Sequence, residues 1–297
     1  MFEKSPLFPA WSRDLDVAGP AWLRSYPDRG GPVHQKRRDE LMRRASTCLA
    51  VLGVALLALA GTASAAPTVT FKAKAVPIPG FPHTGNIFGA GAAVEAEFHI
   101  SGTEYGGYSP PLIGVNVALP AGAKIHSAGF PTCPTNTVAV EHNPAKCPKL
   151  SKAGPKGEAE GFVVFGSERV PEKVSLESFY AAGGGINVYI EGHTPASIEL
   201  ASTGKYIAGP AGFGPELVSN VPLIETVPGA PDGSAAAIKI KVGSAIKKGK
   251  KTLYYGTMPT KCPKKYLPIK AELIFAGLGG LTEQTVPVEY HAPCPKK

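Results

Sequence analysis

The stretch Val94-Glu95-Ala96-Glu97-Phe98-His99-Ile100 alternates apolar and polar side chains at every position. Successive side chains of a β-strand point to opposite faces, so this alternation places all the apolar side chains on one face. Residues 113–119, Ile-Gly-Val-Asn-Val-Ala-Leu, have a similar pattern that ends at Pro120. Both stretches predict antiparallel strands with one buried face and one solvated face.

The same alternation recurs through residues 66–297, and turn sequences such as Gly183-Gly184-Gly185 and Pro231-Asp232-Gly233 separate the segments. Helical periodicity is weak, apart from a short turn near Asn136–His142. The pattern predicts an all-β fold, an antiparallel β-sandwich built as one large or two small tandem sandwiches. The further strand candidates are Val69–Val76, Gly161–Phe165, Lys173–Tyr180, Ile186–Glu191, Ser197–Ile207, Glu216–Val227, Ala235–Ile246, Thr252–Thr257, Leu267–Phe275 and Gln284–Tyr290.

Residues 42–65 have the three parts of a secretory signal peptide. Arg43 and Arg44 form the charged start, Cys48–Ala60 is an unbroken apolar run, and Ala63-Ser64-Ala65 is a small-x-small cleavage pattern. The apolar run is shorter than the roughly 20 residues that a membrane-spanning helix needs. We therefore predict cleavage before Ala66 and a secreted or extracellular protein associated with the cell envelope, with no membrane span in the mature form.

Residues 1–41 differ in composition from the rest of the chain. They contain both tryptophans, Trp11 and Trp22, and their basic residues are mostly arginine. Because export signals are seldom preceded by such a segment, we interpret it as a non-native or disordered extension. Translation would then start at Met42 and not at Met1.

The segment after the signal has 232 residues, enough for a large hydrophobic core. The predicted units are 66–153 and 154–297, divided near Gly154–Gly157, or a single continuous domain. The segment carries 22 basic and 17 acidic residues, a net charge of +5. A modest lysine excess of this kind favours solubility and leaves attraction to polyanions open.

Four cysteines remain after removal of the signal: Cys133, Cys147, Cys262 and Cys294. An even number in an oxidising compartment predicts disulfides, with three connectivities possible. We favour Cys133 with Cys147 and Cys262 with Cys294, because each pair is nearest in sequence. Zinc is the weaker alternative, since His142 and His291 do not complete the usual ligand spacings. No metal or cofactor is predicted.

Two glutamate pairs are the candidates for acid chemistry. Glu95 and Glu97 share one strand face, and Glu158 and Glu160 share another, at a separation that carboxylate pairs in glycosidases can use. A solvated strand face explains the same pattern. The chain has no G-x-S-x-G, H-E-x-x-H or Walker-type motif. We therefore predict no catalytic residues, with a secreted glycan-active hydrolase as the alternative.

The densest charge cluster is Lys247-Lys248-Gly249-Lys250-Lys251, between two predicted strands. As a hairpin tip it would project four ammonium groups into solvent, a geometry suited to anionic cell-envelope polymers or glycans. Lysines at a strand edge also prevent pairing with other chains, which is the simpler interpretation. We expect no nucleic-acid partner, and the oligomeric state stays open.

Several short segments resemble those of uncharacterised secreted all-β proteins of high-GC Gram-positive bacteria. They are Leu119-Pro-Ala-Gly122, Gly129-Phe-Pro-Thr-Cys133, Cys147-Pro-Lys-Leu-Ser-Lys-Ala-Gly154, Lys248-Gly-Lys-Lys-Thr-Leu-Tyr254 and Lys261-Cys-Pro263. The resemblance implies export and an all-β fold, and it carries no activity or ligand. The leading hypothesis is a secreted, non-enzymatic binding or structural module of the cell surface.

Overall fold

The computed structural model describes residues 66–81, 88–165, 168–227, 230–231, 233–262 and 265–294. The predicted signal peptide and the extension before it lie outside the described residues. The described strands belong to one compact unit, Ser64–Lys297. Among the described residues, no helix has the length and apolar character required to cross a membrane.

Strands dominate the fold, as the alternation predicted, and the only α-helix of the described residues is α1, Thr135–Ala139. Short 3-10 turns follow at Pro144–Lys146 and Lys149–Ser151. In chain order the strands are β1 Thr68–Val76, β2 Ala93–Ser101, β3 Leu112–Pro120, β4 Lys124–Ile125, β5 Gly157–Phe165, β6 Glu168–Ala181, β7 Gly185–Gly192, β8 Ile198–Ala208, β9 Phe213–Asn220, β10 Glu225–Val227, β11 Ala230–Pro231, β12 Ser234–Val242, β13 Ala245–Lys248, β14 Lys251–Tyr254, β15 Gly256–Thr257, β16 Tyr266–Phe275 and β17 Gln284–Pro293.

Eleven strands form one antiparallel sheet in the order β1-β2-β12-β5-β6-β7-β8-β9-β3-β16-β17. The sheet curls until its two edge strands pack together, with Phe71 of β1 edge-on to Tyr290 of β17 at 6.3 Å between ring centroids. The all-β, antiparallel prediction is confirmed. The two facing layers expected of a sandwich belong here to one continuous sheet.

The curled sheet has an apolar inner face and a charged outer face. In β16 every second side chain is buried, including Ile269, Leu273 and Phe275, each at most 1% exposed. Phe71 and Phe98 stack at 4.7 Å on the same inner face. The period of two therefore sorts side chains between the core and the solvent, as the sequence predicted.

Strand β12 joins parts of the chain that are far apart in sequence. It pairs with β2 on one side and with β5 on the other. The sheet thus interleaves strands from residues 66–153 with strands from residues 154–297. This insertion is a long-range pairing that local turns do not specify.

The first disulfide closes a loop that packs against the outer face of the sheet. Cys133 and Cys147 are bonded, with their Cα atoms 5.0 Å apart, and α1 lies within the loop that they close. Val138 of α1 is fully buried with Phe179 and Tyr189, which point outward from β6 and β7. The loop therefore allows two large aromatic side chains to be buried on a face that is otherwise polar.

Candidate functional site

The inner face of the sheet lines an apolar cavity of about 250 Å³. Strands β2, β3, β5, β6, β7, β8, β9 and β12 all contribute to its wall. Val115, Val188 and Leu200 point inward, yet they remain only half-buried because they border this space. An engineered apolar cavity of roughly 150 Å³ binds benzene. The cavity can therefore hold a small apolar molecule.

The small side chain of Ala159 on β5 helps to leave this space open. It points inward and faces Val174 across the ladder with β6, whereas Gly161, which faces Glu172, has no room for a Cβ beside the Ser234 carbonyl of β12. A larger residue at position 159 would extend into the cavity between Val174 and Ile238, which is its partner on β12. The width of the cavity is thus set by residue choice at a few inward positions.

Most polar groups in the wall are occupied by internal hydrogen bonds. The Ser219 hydroxyl donates to the carbonyl of Val115, and the Ser234 hydroxyl donates to the carbonyl of Ser109 at 2.7 Å. Tyr255 donates its hydroxyl to the carbonyl of Gly185 at 3.4 Å. These three hydroxyl groups therefore already donate to backbone carbonyls of the protein.

An aromatic cluster borders the end of the cavity near β13 and β14. Tyr180 and Tyr255 stack at 3.8 Å, and Phe130 lies edge-on to both at 5.3 Å. Burial raises the pKa of Tyr255 to about 12 and raises the pKa of Tyr180 and of Tyr206 further. Tyr206 also lines the cavity. These phenols therefore remain neutral at physiological pH.

Glu172 differs from these wall residues because it brings an acidic group inside the sheet. It lines the cavity on β6, and at 3% exposure it is the one buried acidic residue among the described residues. The backbone N–H of Ala196 donates to its Oε2 at 3.0 Å. Its Oε1 is buried and has no hydrogen-bond partner among the described residues. One carboxylate oxygen is thus unsatisfied at the cavity wall.

Glu172 was not among the predicted site residues, because the strand predicted there began at Lys173. The spacing in β6 could have revealed it. Glu172 lies an even number of residues from Val174, Leu176 and Tyr180, so its side chain is on the same face of the strand as theirs. A carboxylate at a strand position that faces the interior indicates a buried acidic group. The cavity itself had no local signal, because residues distant in sequence form it.

The predicted glutamate pairs lie on the outer face, where Glu97 contacts His99 at 3.1 Å and the other three glutamates are in ion pairs with lysines. Lys72, Glu97, Lys239 and Glu158 are aligned in one row across β1, β2, β12 and β5. The Nζ of Lys239 lies 3.9 Å from Glu158 Oε1, and these side chains are 57% and 73% exposed.

The remaining two glutamates of those pairs are also in ion pairs. Glu95 bonds Lys74 at 2.9 Å and Glu160 bonds Lys173 at 2.8 Å. Both pairs therefore match the solvated strand face, and their geometry lends no support to the hydrolase alternative.

The four tip lysines Lys247, Lys248, Lys250 and Lys251 lie together on the β13–β14 hairpin. Gly249 takes a positive φ of 62° at the turn, a conformation that glycine adopts without steric cost. All four lysines are exposed, and none is in an ion pair with another described residue. The structure thus brings these charges together at the surface.

The four cysteines are bonded in the favoured pairs. Besides Cys133 with Cys147, Cys262 is bonded to Cys294, with their Cα atoms 6.2 Å apart. Within the described ranges, no group of three or more histidine, cysteine, aspartate or glutamate side chains is placed to hold a metal ion. The two disulfides are compatible with an extracellular protein.

Comparison of the chain with protein-family models, curated proteins and solved structures finds no match.

Proposed function

We propose that this protein is exported and acts without catalysis as a binding protein for a small aliphatic molecule, which it holds inside its curled sheet. The observation that carries the proposal is the apolar cavity of about 250 Å³, whose wall includes eight strands of the large sheet. Ligand pockets are concave, mostly apolar and formed by several elements, with few polar groups. The cavity has these properties.

The size of the cavity favours a binding role over imperfect packing. Protein interiors are close-packed, with few voids larger than a water molecule. The 250 Å³ of this cavity is several times the volume of one water molecule, about 30 Å³. A bound aliphatic molecule would recover contacts that the protein's own side chains leave unmade.

A larger side chain on the cavity wall tests the proposal. We expect Ala159→Phe to weaken binding of phenylnaphthylamine, a neutral fluorescent probe, by at least about tenfold, because its ring occupies the ligand space. The same change is expected to raise the free energy of unfolding by about 0.5–2 kcal/mol, as cavity-filling substitutions commonly do. Probe titration and urea unfolding measure the two effects.

The matched control is Ile207→Phe, which adds a ring at an outer-face position of β8 that is 46% exposed. It should leave probe affinity unchanged. Equal affinity of the wild type and Ala159→Phe, or equal loss in both variants, would show that the probe binds elsewhere and would contradict the proposal.

A second candidate function is attachment to an anionic envelope polymer through the β13–β14 tip. Four exposed lysines on one hairpin, free of carboxylate partners among the described residues, favour it. We expect replacement of Lys247, Lys248, Lys250 and Lys251 by glutamine to shorten retention on immobilised teichoic acid, measured at low and moderate salt. Unchanged retention of the fourfold variant would refute this role.

A further inference from the structure

We propose that Glu172 anchors the polar head of the ligand, and that this head is a hydrogen-bond donor, a hydroxyl or an ammonium group, on an aliphatic body. This inference rests on the proposed function of the cavity and adds the chemical class of its ligand. The carrying observation is the buried Oε1 of Glu172, which has no donor among the described residues. A buried acceptor without a partner is costly, so native proteins rarely keep one without a role.

The surroundings of Glu172 fit this role. Gly161 faces it on β5, and Gly192 lies beside it, where an added Cβ would come within 2.9 Å of Oε1. Glycine at position 192 therefore leaves the room that the carboxylate occupies. The Ala196 N–H holds Oε2 at 3.0 Å, which fixes the group and leaves Oε1 as the acceptor for another donor.

Among the described residues, no cation is paired with this carboxylate. Glu172 is in none of their ion pairs, whereas the outer-face glutamates Glu95, Glu160 and Glu177 are paired with lysines. Arg169, the nearest arginine in sequence, stacks on Tyr105 and Tyr108 and donates to Ser234. A ligand carboxylate would meet the acidic group of Glu172, while a hydroxyl or ammonium head would satisfy it.

The test compares four octyl compounds as competitors for the bound phenylnaphthylamine: octane, octanol, octylamine and octanoate. We expect octanol and octylamine to compete at concentrations at least about tenfold lower than octanoate, about the magnitude of one buried hydrogen bond. Glu172→Gln, which keeps the shape of the side chain, should reduce this preference to less than about threefold. Octane should compete equally with both proteins.

The control is Glu158→Gln, the same chemical change on the outer face, which should keep the full preference. If octanoate competes as well as octylamine and octanol, or if Glu172→Gln keeps the wild-type preference, the anchor is refuted while the cavity function stands. If none of the four compounds displaces the probe, octane included, the cavity function fails and the anchor fails with it. If Glu172→Gln does not fold, the order in which the four compounds compete for the wild-type protein decides whether the cavity prefers a hydrogen-bond donor.

Discussion

Replacing Tyr255 by alanine is expected to lower the free energy of unfolding by about 3–5 kcal/mol, the range for large aromatic side chains removed from a core. Tyr255 is 2% exposed, stacks on Tyr180 at 3.8 Å and lies edge-on to Phe130 at 5.3 Å. The substitution removes ring contacts and leaves space at one end of the cavity. Urea unfolding followed by circular dichroism measures the loss.

Tyr255→Phe is the matched control, because it removes only the hydroxyl, whose hydrogen bond to Gly185 is long at 3.4 Å. It should cost about 0.5–1.5 kcal/mol. Equal losses in the two variants would contradict the packing argument.

Burial of Tyr255 also makes the free energy of unfolding depend on pH. The folded pKa of Tyr255, about 12, exceeds its ordinary value of 10.0 because burial disfavours the charged form. The stability contributed by burial of the neutral phenol is therefore fully present below pH 10 and is lost as the pH rises through about 12. In alkaline unfolding experiments, Tyr255→Phe should lose less stability over this interval than the wild type.

Removing the Cys133–Cys147 disulfide with paired alanine substitutions is expected to lower the free energy of unfolding by about 3 kcal/mol, the chain-entropy value for a loop of about 15 residues. The sequence separation of the two cysteines is 14. The loop also covers Phe179 and Tyr189, so loosening it exposes two aromatic side chains on the outer face. Urea unfolding gives the global loss.

A second measurement locates the effect. Trypsin should cleave the alanine variant early after Lys146, Lys149 or Lys152, which lie in or just after the loop, and should spare the same bonds in the wild type. The control is the Cys262→Ala/Cys294→Ala variant, whose loop contains β16 and β17, already joined by a long antiparallel ladder. Early cleavage at the same sites in this control would contradict a local role for the first disulfide.

The sequence was informative wherever a local pattern carried the information. Period-two alternation at 94–100 and 113–119 predicted β2 and β3, because successive side chains of a strand must face opposite sides. Gly249 between two lysine pairs predicted the β13–β14 hairpin, since glycine accommodates the positive φ of its turn. Nearest-neighbour cysteines predicted the disulfide pairs, because short loops bring them together most readily.

The candidate site was not predictable in this way. The predicted candidates for acid chemistry were two carboxylate pairs, Glu95 with Glu97 and Glu158 with Glu160. Strand pairing places lysines beside these glutamates. Glu172 has no special motif, and its meaning depends on the side of the sheet that it faces. Alternation gives two faces but does not say which strands will lie opposite across the interior.

Local sequence thus determined the all-β class, the antiparallel strands, their polar and apolar faces and the charged hairpin, because each follows from side-chain period or turn conformation within a few residues. Only the tertiary structure decided that β12 inserts between β2 and β5, that the edge strands meet, and that an unsatisfied Glu172 oxygen borders an apolar cavity. These features depend on pairing between distant segments. The volume that their side chains leave unfilled exists only after the sheet has curled around it.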